Sequence, residues 1–294
     1  MYKIGIDLGG TKIEGIVLDK NLSEIFRKRI STEQEKGYEK ILENIAGLYK
    51  DLCDHIKNKP HTFGIGTPGA ISSRTGLMKN SNTICLNGRT FKVDLENKLS
   101  RKILIENDAN CFAMAEAIKG AGKGKKIVFG VIMGTGCGGG IVYQGKVVTG
   151  RQSIAGEWGH MSIDPHGPDC YCGKKGCVET YISGGGIENR YKDLTGVKIS
   201  LVDIMKKYRS RDPDAIKIIL DFFENFGRSL SNLINILDPD IIVLGGGLSN
   251  IDELYTSGID QVKKYIFNDS LETEIVKNQY GDSAGVWGAA LIGI

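Results

Sequence analysis

A chain of 294 residues is long enough for two domains of ordinary size, each with its own core. Charged residues at 25% and hydrophobic residues at 41% describe a soluble globular protein, and a formal net charge of +3 is too small and scattered for a nucleic-acid surface. No apolar run approaches the length of a membrane span, and the opening MYKIGIDLGG reads as a strand running into glycines rather than a signal peptide. The 40 glycines are clustered without period, which marks loops approached closely by a ligand. Of seven cysteines, Cys53, Cys85, Cys111 and Cys137 sit in apolar contexts typical of reduced, buried thiols, and a cytoplasmic location is expected.

Residues 3–18, KIGIDLGGTKIEGIVL, read as strand, tight glycine turn, strand. Asp7 ends the first strand, and Gly9, Gly10 and Thr11 offer backbone N–H groups to a phosphate, although a bare hairpin turn explains the glycines equally well. The absence of a Walker pattern and of a helix directly after excludes a P-loop and a Rossmann fingerprint. Residues 24–31 continue as a third strand. From Tyr38 to Lys57, apolar residues at Ile41, Leu42, Ile45, Leu48, Tyr49 and Leu52 predict an amphipathic helix. FGIGTPGAIS, residues 63–72, is a buried strand ending in Gly66-Thr67-Pro68-Gly69, either a ligand loop or a turn. KNSNTICLNG, residues 79–88, is polar and turn-rich; Asn80, Asn82 and Asn87 suit hydroxyl groups of a ligand or an ordinary turn.

ILIENDANCFAMAEA, residues 103–117, predicts a strand followed by a helix. Asn107 or Asp108 falls at the helix start, where capping is one role. A carboxylate kept ionised by the helix N-terminus, and hence a proton acceptor, is another. GVIMGTGCGGGIVY, residues 130–143, overlays GIDLGGTKIEGIVL, residues 5–18, without a gap. Gly5 coincides with Gly130, Gly9 with Gly134 and Gly15 with Gly140, so a strand–turn–strand unit is duplicated, one per domain. Two such hairpins facing one another would hold a polyphosphate. Asp7 stands where the second copy has Ile132, and a metal–phosphate contact is the natural use of that single carboxylate.

AGEWGHMSIDPHGPDCYCGKKGCVE, residues 155–179, gathers Glu157, His160, Cys170, Cys172, Cys177 and Glu179. One imidazole and three thiols suit tetrahedral zinc, and four protein ligands imply a structural ion. Free buried cysteines beside a surface histidine, or a disulfide, is the competing reading. The knot would fix two carboxylates and an imidazole beside a common cavity. Gly184 to Gly186 then open a short helix, and helical patterns cover 201–208 and 213–237. NILDPDIIVLGGGLSN, residues 235–250, is a helix end, a buried strand and three glycines suited to adenosine or ribose. A helix over about 251–266, a strand near 274–277 and a helix over 284–293 complete the chain.

IGIDLGGTK at the start, NDAN at 107, MGTGCGGG at 133, GEWGH at 156, CYCGKKGCVE at 170 and DPDIIVLGGG at 238 together resemble the ROK (repressor, open reading frame, kinase) sugar kinases of the actin/hexokinase/heat-shock chaperone superfamily. GDSAGVWGAA extends the likeness to the C-terminus. Within the family the chain looks most like bacterial fructokinases that also accept mannose, on KNSNTICLNG and CYCGKKGCVETYISG. NDANCF and GGGLSN also occur in N-acetylglucosamine kinases.

The resemblance implies an α/β, two-lobed actin/hexokinase-like (ribonuclease H-like) ATPase fold with a structural zinc loop, each lobe of βββαβα type. The expected small N-terminal domain is 1–117 plus 284–294, and the large one is 118–283. The implied activity is an ATP-dependent hexose kinase acting on the 6-hydroxyl, fructose favoured. The alternatives are an N-acetylglucosamine, N-acetylmannosamine or glucose kinase and, further off, a sugar-responsive repressor or a non-catalytic sugar-binding protein. Asp108 matches the family's catalytic base, and Asn107, Glu157, His160 and Glu179 match sugar ligands. Asp7, Gly9, Gly10, Thr11 and Lys12 match the first phosphate loop, Gly134, Thr135 and Gly136 the second, and Gly245 and Gly246 the adenosine contact. His160, Cys170, Cys172 and Cys177 match the zinc ligands. ATP, magnesium (Mg2+) and zinc (Zn2+) are the implied cofactors, with a hexose as substrate, no nucleic-acid or membrane partner, and a homodimer as the assembly.

Overall fold

β-branched runs joined by short glycine turns pair with their sequence neighbours first, and both sheets of the protein start this way. The structure is a computed structural model and describes residues 1–293. β1 (Tyr2–Leu8), β2 (Lys12–Leu18) and β3 (Glu24–Ser31) form an antiparallel meander that sets Asp7 opposite Glu14. After α1 (Tyr38–His55), β4 (His61–Thr67) returns parallel to β1. A small hairpin, β5 (Ala70–Ile71) with β6 (Met78–Lys79), and α2 (Phe91–Leu99) precede β7 (Leu104–Asn107), which lies parallel to β4 and runs directly into α3 (Asp108–Ile118).

The pattern then repeats. β8 (Ile127–Met133), β9 (Cys137–Tyr143) and β10 (Lys146–Val147) are followed by α4 (Val178–Ile182), α5 (Gly184–Thr195), α6 (Leu201–Arg209) and α7 (Pro213–Leu237). β11 (Ile241–Gly245), α8 (Ser257–Tyr265), β12 (Glu274–Lys277) and α9 (Ala284–Leu291) complete the order. The first sheet is ordered β3-β2-β1-β4-β7 and the second β10-β9-β8-β11-β12, the same arrangement twice. The bounds of β8 and β9 fall 125 residues after those of β1 and β2 at all four ends, so the gapless overlay of the two glycine hairpins holds at the level of strands.

The chain divides into two compact units, Met1–Lys123 with Gly140–Ala155 and Asp282–Ile294, and Gly124–Gly139 with Gly156–Gly281. In the first, Ile4, Ile6, Ile13 and Val17 pack with Ile41, Ile45, Leu48 and Leu52 of α1, all essentially without solvent contact. Each such side chain contributes about 1.5–3 kcal/mol by leaving water. Gly15 allows the approach of α1, since a Cβ there would lie 2.7 Å from Leu52 Cδ1. On the opposite face α9 lies against β1 and β4: a Cβ on Gly5 would meet Ala290 N at 2.3 Å, and one on Gly64 would meet Ala289 O at 2.1 Å. The second unit is built on α7, capped by Asp212, whose side chain accepts the Ala215 N–H at 3.0 Å, with Pro213 in the first turn.

One expectation needs correction, and one helix was not expected at all. The helix over 251–266 is interrupted: a 3-10 turn covers Asp252–Tyr255, Thr256 leaves helical geometry (φ −122°, ψ −85°), and α8 starts at Ser257. The polar stretch 79–88 is followed by α2, whose buried face is only Phe91 and Leu95 and so shows little periodicity in sequence. Among the described residues no helix is long and apolar enough to cross a membrane.

Candidate active site

In the first unit, the C-terminal ends of β1 and β7 carry the two acids singled out from the sequence. Asn107, not Asp108, caps α3: its Oδ1 accepts the Asn110 N–H at 2.7 Å. Asp108 is left in the first turn with an exposed side chain, its Oδ1 accepting its neighbour's N–H at 2.9 Å, and the helix N-terminus favours its charge. Asp7 feels that charge. Its carboxyl is pushed up to about 7 by burial first, then by Asp108 and Glu14, with Lys12 opposing. Glu14 itself is buried between Arg27 at 3.0 Å and Arg29 at 2.9 Å.

Asp7 sits in a slot kept open by two glycines. A Cβ on Gly285 would lie 2.6 Å from Asp7 Oδ2, and one on Gly66 would lie 3.3 Å from Oδ1 and 3.1 Å from the buried Cys111 sulfur. The turn that follows is closed by the Gly9 N–H on Lys12 O at 2.9 Å, while the Thr32 hydroxyl holds Gly9 O at 2.7 Å. Gly10 and Thr11 form its tip, Thr11 exposed. Lys12 opens β2. Nearby, Asn87 uses both ends of its amide on the Ser81 backbone, so it holds the 79–88 turn rather than presenting itself to a ligand.

In the second unit three glycine stretches converge. The Gly134 N–H closes the Gly134-Thr135-Gly136 turn on Gly136 O at 2.9 Å. The N-terminus of α5 docks on it, Gly184 N–H to Gly134 O at 2.8 Å and Gly185 N–H to Thr135 O at 3.3 Å. Gly246, at φ +76°, lies so close that a Cβ would be 2.3 Å from Met133 O. Gly245 ends β11 directly before it. Ser249 and Asn278 pin this loop, the first by its hydroxyl on Gly246 O at 2.7 Å and the second by its amide on Leu244 O at 2.9 Å.

The same turn adjoins the cysteine knot. Glu179, in the first turn of α4, accepts the Cys137 N–H at 2.8 Å. Trp158 donates to Gly138 O at 3.1 Å and packs edge-on against Phe129, setting the Glu157–His160 segment against β9. His160 Nδ1 lies 3.6 Å from Cys170 Sγ, and Cys172 Sγ lies 3.6 Å from Cys177 Sγ. The four candidate ligand atoms all fall within 4.8 Å of one another. A tetrahedral ion with Zn–S bonds of about 2.3 Å needs sulfur–sulfur edges near 3.8 Å, so the donor set fits zinc in both chemistry and spacing. Gly173 (φ +88°) and Gly176 (φ +58°) supply the left-handed turns that fold the thiols inward, and a Cβ on Gly176 would meet Asp164 O at 1.8 Å.

His160 Nε2, the nitrogen facing away from the thiols, is 3.0 Å from the Tyr171 hydroxyl. Tyr171 is 83% exposed, yet its phenol is pushed up to about 12 by desolvation and then by Glu179, Cys170 and Glu157. His160 thus holds the Tyr171 hydroxyl, and the negative charges of Glu179 and Glu157 act on it. Tyr171 was not among the residues expected here. Glu106, also unanticipated, is half-buried one residue before Asn107 and accepts from Asn110 Nδ2 at 2.8 Å and Thr149 Oγ1 at 3.0 Å. Burial raises its pKa, and the two donors oppose the shift. The buried Thr149 contact lies 43 residues away in sequence, so no local pattern could have found it.

Comparison with known proteins places the chain in a family. The N-acetyl-D-glucosamine kinase of Vibrio cholerae is 38% identical over 300 residues, covering 99% of each chain. That of Histophilus somni is 36% identical over 299 residues, covering 98% of this chain and 97% of its own. Among solved structures, a ROK hexokinase from Thermus thermophilus superposes with a TM-score of 0.91 at 29% identity, covering 99% of this chain and 97% of the other. A ROK glucokinase from Streptomyces griseus in complex with glucose and AMPPNP gives 0.77 at 27%, covering 99% and 98%. The relatives therefore point to the N-acetylglucosamine alternative and give fructose no support. The profile described as ROK family matches residues 3–293, and the chain belongs to the ROK family.

Proposed function

We propose that this protein is an ATP-dependent hexose kinase that transfers the γ-phosphoryl group to the 6-hydroxyl of N-acetyl-D-glucosamine. The observation that carries the reading is the match over nearly the whole chain to N-acetyl-D-glucosamine kinases. The chemistry of the residues supports it. Phosphoryl transfer is mostly positioning and charge neutralisation, with one base for the attacking hydroxyl. Asp108, released from capping by Asn107, accepts that proton. Gly9, Gly10, Thr11 and Lys12, and likewise Gly134, Thr135 and Gly136, are phosphate loops offering backbone and ammonium donors, while Gly245 and Gly246 leave room for the nucleoside. Asn107, Glu157, His160 and Glu179 exchange hydrogen bonds with sugar hydroxyls.

Asp7 is the carboxylate suited to magnesium, which when bound to the nucleotide neutralises charge on the transferred group. His160, Cys170, Cys172 and Cys177 would hold zinc as a closed structural site, with Nδ1 toward the ion and Nε2 toward the sugar.

A panel of N-acetylglucosamine, N-acetylmannosamine, glucose, mannose and fructose, assayed for ATP consumption, tests the reading. N-acetylglucosamine should show the highest kcat/KM, and a panel led by fructose would overturn the substrate assignment. Asp108→Asn should lower kcat by about 10²–10⁴-fold while sugar binding persists. Turnover near the original rate would remove the base from Asp108.

A further inference from the structure

Asp108 stands between two residues and a third that both of them hold. Asn107 Oδ1 accepts the Asn110 backbone N–H at 2.7 Å, and Glu106 Oε2 accepts from the Asn110 side-chain Nδ2 at 2.8 Å. The two bonds bracket the first turn of α3, where Asp108 lies. The first is an ordinary helix cap. Neither the helix nor the sheet requires the second. Glu106 belongs to β7, where it is registered against Gly66 of β4, and its carbonyl accepts the Thr67 hydroxyl at 3.4 Å. Backbone pairing thus gives the strand its place.

The Glu106 side chain is half-buried, and burial raises its pKa because leaving water penalises the charged form. A carboxylate at the end of a strand avoids that cost by turning to solvent. Glu106 instead gives one oxygen to Asn110 and the other to Thr149, whose hydroxyl donates at 3.0 Å from the segment after β10, 43 residues away. Bonds to a charged acceptor are roughly twice as strong as those between neutral groups. The first turn of α3 is therefore tied to a distant part of the same unit, two residues from Asp108.

A helix end held by its cap alone frays, and a side chain in its first turn moves with it. For a catalytic group a misplacement of about 1 Å can cost about 10²-fold in rate. We propose that Glu106 is a positioning residue: its bridge from Asn110 to Thr149 holds the start of α3, and with it the Asp108 carboxylate, in the place needed to take a proton. The inference rests on the base role proposed above for Asp108. Glu106 acts through the helix and touches neither substrate.

A double-mutant cycle tests this, because residues that act as one unit are non-additive. Glu106→Ala should lower kcat by about tenfold or more, while the calorimetric affinity for sugar without ATP changes by less than about threefold. In an Asp108→Asn background, where the base is already gone, the same change should lower kcat by less than about twofold. Thr149→Val removes the hydroxyl and keeps the shape. It should lower kcat by about threefold, again only when Asp108 is present, and Thr149→Ser should keep the original rate. The Thr149 variants carry the cycle by themselves if Glu106→Ala does not fold. Equal losses with and without Asp108 would make Glu106 a support of the fold at large and overturn the proposal. A loss confined to sugar affinity, or an unchanged kcat in both variants, would overturn it too. If Asp108→Asn itself turns over at the original rate, the base reading fails first and leaves Glu106 nothing to position.

Discussion

The Glu179 carboxylate accepts the Cys137 N–H at 2.8 Å, so the helix that follows the last knot cysteine is bonded to the glycine turn opening β9. Gly136 leaves the space for it, since a Cβ there would lie 2.6 Å from Glu179 Oε2. A hydrogen bond to a charged group of this kind is worth about 1.5–3 kcal/mol. Glu179→Ala should therefore raise KM for nucleotide and sugar together, whereas Glu179→Gln, which keeps an acceptor oxygen, should recover much of the nucleotide term. Steady-state kinetics varying each substrate separates the two. An alanine variant with an unchanged nucleotide KM would show that the turn holds its shape unaided.

Asp7 imposes a pH dependence. Its pKa in the folded protein is about 7 against an ordinary 3.8, so folding favours the neutral acid. That stabilisation is fully present below about pH 4 and is lost as pH rises through about 7. Asp7→Asn stays neutral, so relative to the original protein it should gain about 1–2 kcal/mol at pH 8, discounted for the carboxylate's open edge, and nothing at pH 4. Urea denaturation at the two pH values measures this. Catalysis should run the opposite way, with kcat/KM for the magnesium nucleotide rising through pH 7 as Asp7 ionises. A pH-independent stability difference would contradict the burial of this acid.

Loss of the zinc proposed for the knot should act on the sugar first. Chelation or Cys172→Ser loosens His160 and Glu157, and through Tyr171 the hydroxyl that occupies Nε2. Sugar KM should rise before nucleotide affinity falls, and elemental analysis of the untreated protein should find one zinc per chain. No metal, or equal loss of both substrates, would argue against a closed structural site.

Two glycines of α9 predict different failures. Gly285→Ala places a methyl 2.6 Å from the Asp7 carboxylate, the free end of a side chain, so the acid shifts and activity falls with little change in stability. Gly288→Ala meets the Cys111 carbonyl at 1.8 Å, which is backbone and cannot move alone, so stability should drop by about 1–3 kcal/mol or more. Thermal unfolding beside turnover distinguishes them. Equal unfolding temperatures in both variants would mean that α9 is not seated against α3 as described.

Much of this was legible from residue patterns. The glycine hairpins, the strand before NDAN and the cysteine–histidine cluster are local, each compressed into one or two dozen residues where spacing carries the geometry. Helix α2 was not, because two buried residues in nine leave almost no period. Asn107 and Asp108 were indistinguishable as caps until the backbone showed which one stands outside the helix. Glu106 was hidden for a different reason: its Thr149 partner lies 43 residues away in sequence. Motif likeness favoured fructose, whereas the whole-chain relatives are N-acetyl-D-glucosamine kinases.

The slot around Asp7 has a consequence for biosynthesis. Its carboxylate stands at position 7, yet the glycine that walls it arrives at position 285. A polypeptide still emerging from the ribosome has both hairpins and the cysteine knot long before it has that wall. The slot around this acid should thus be complete only once α9 has been made.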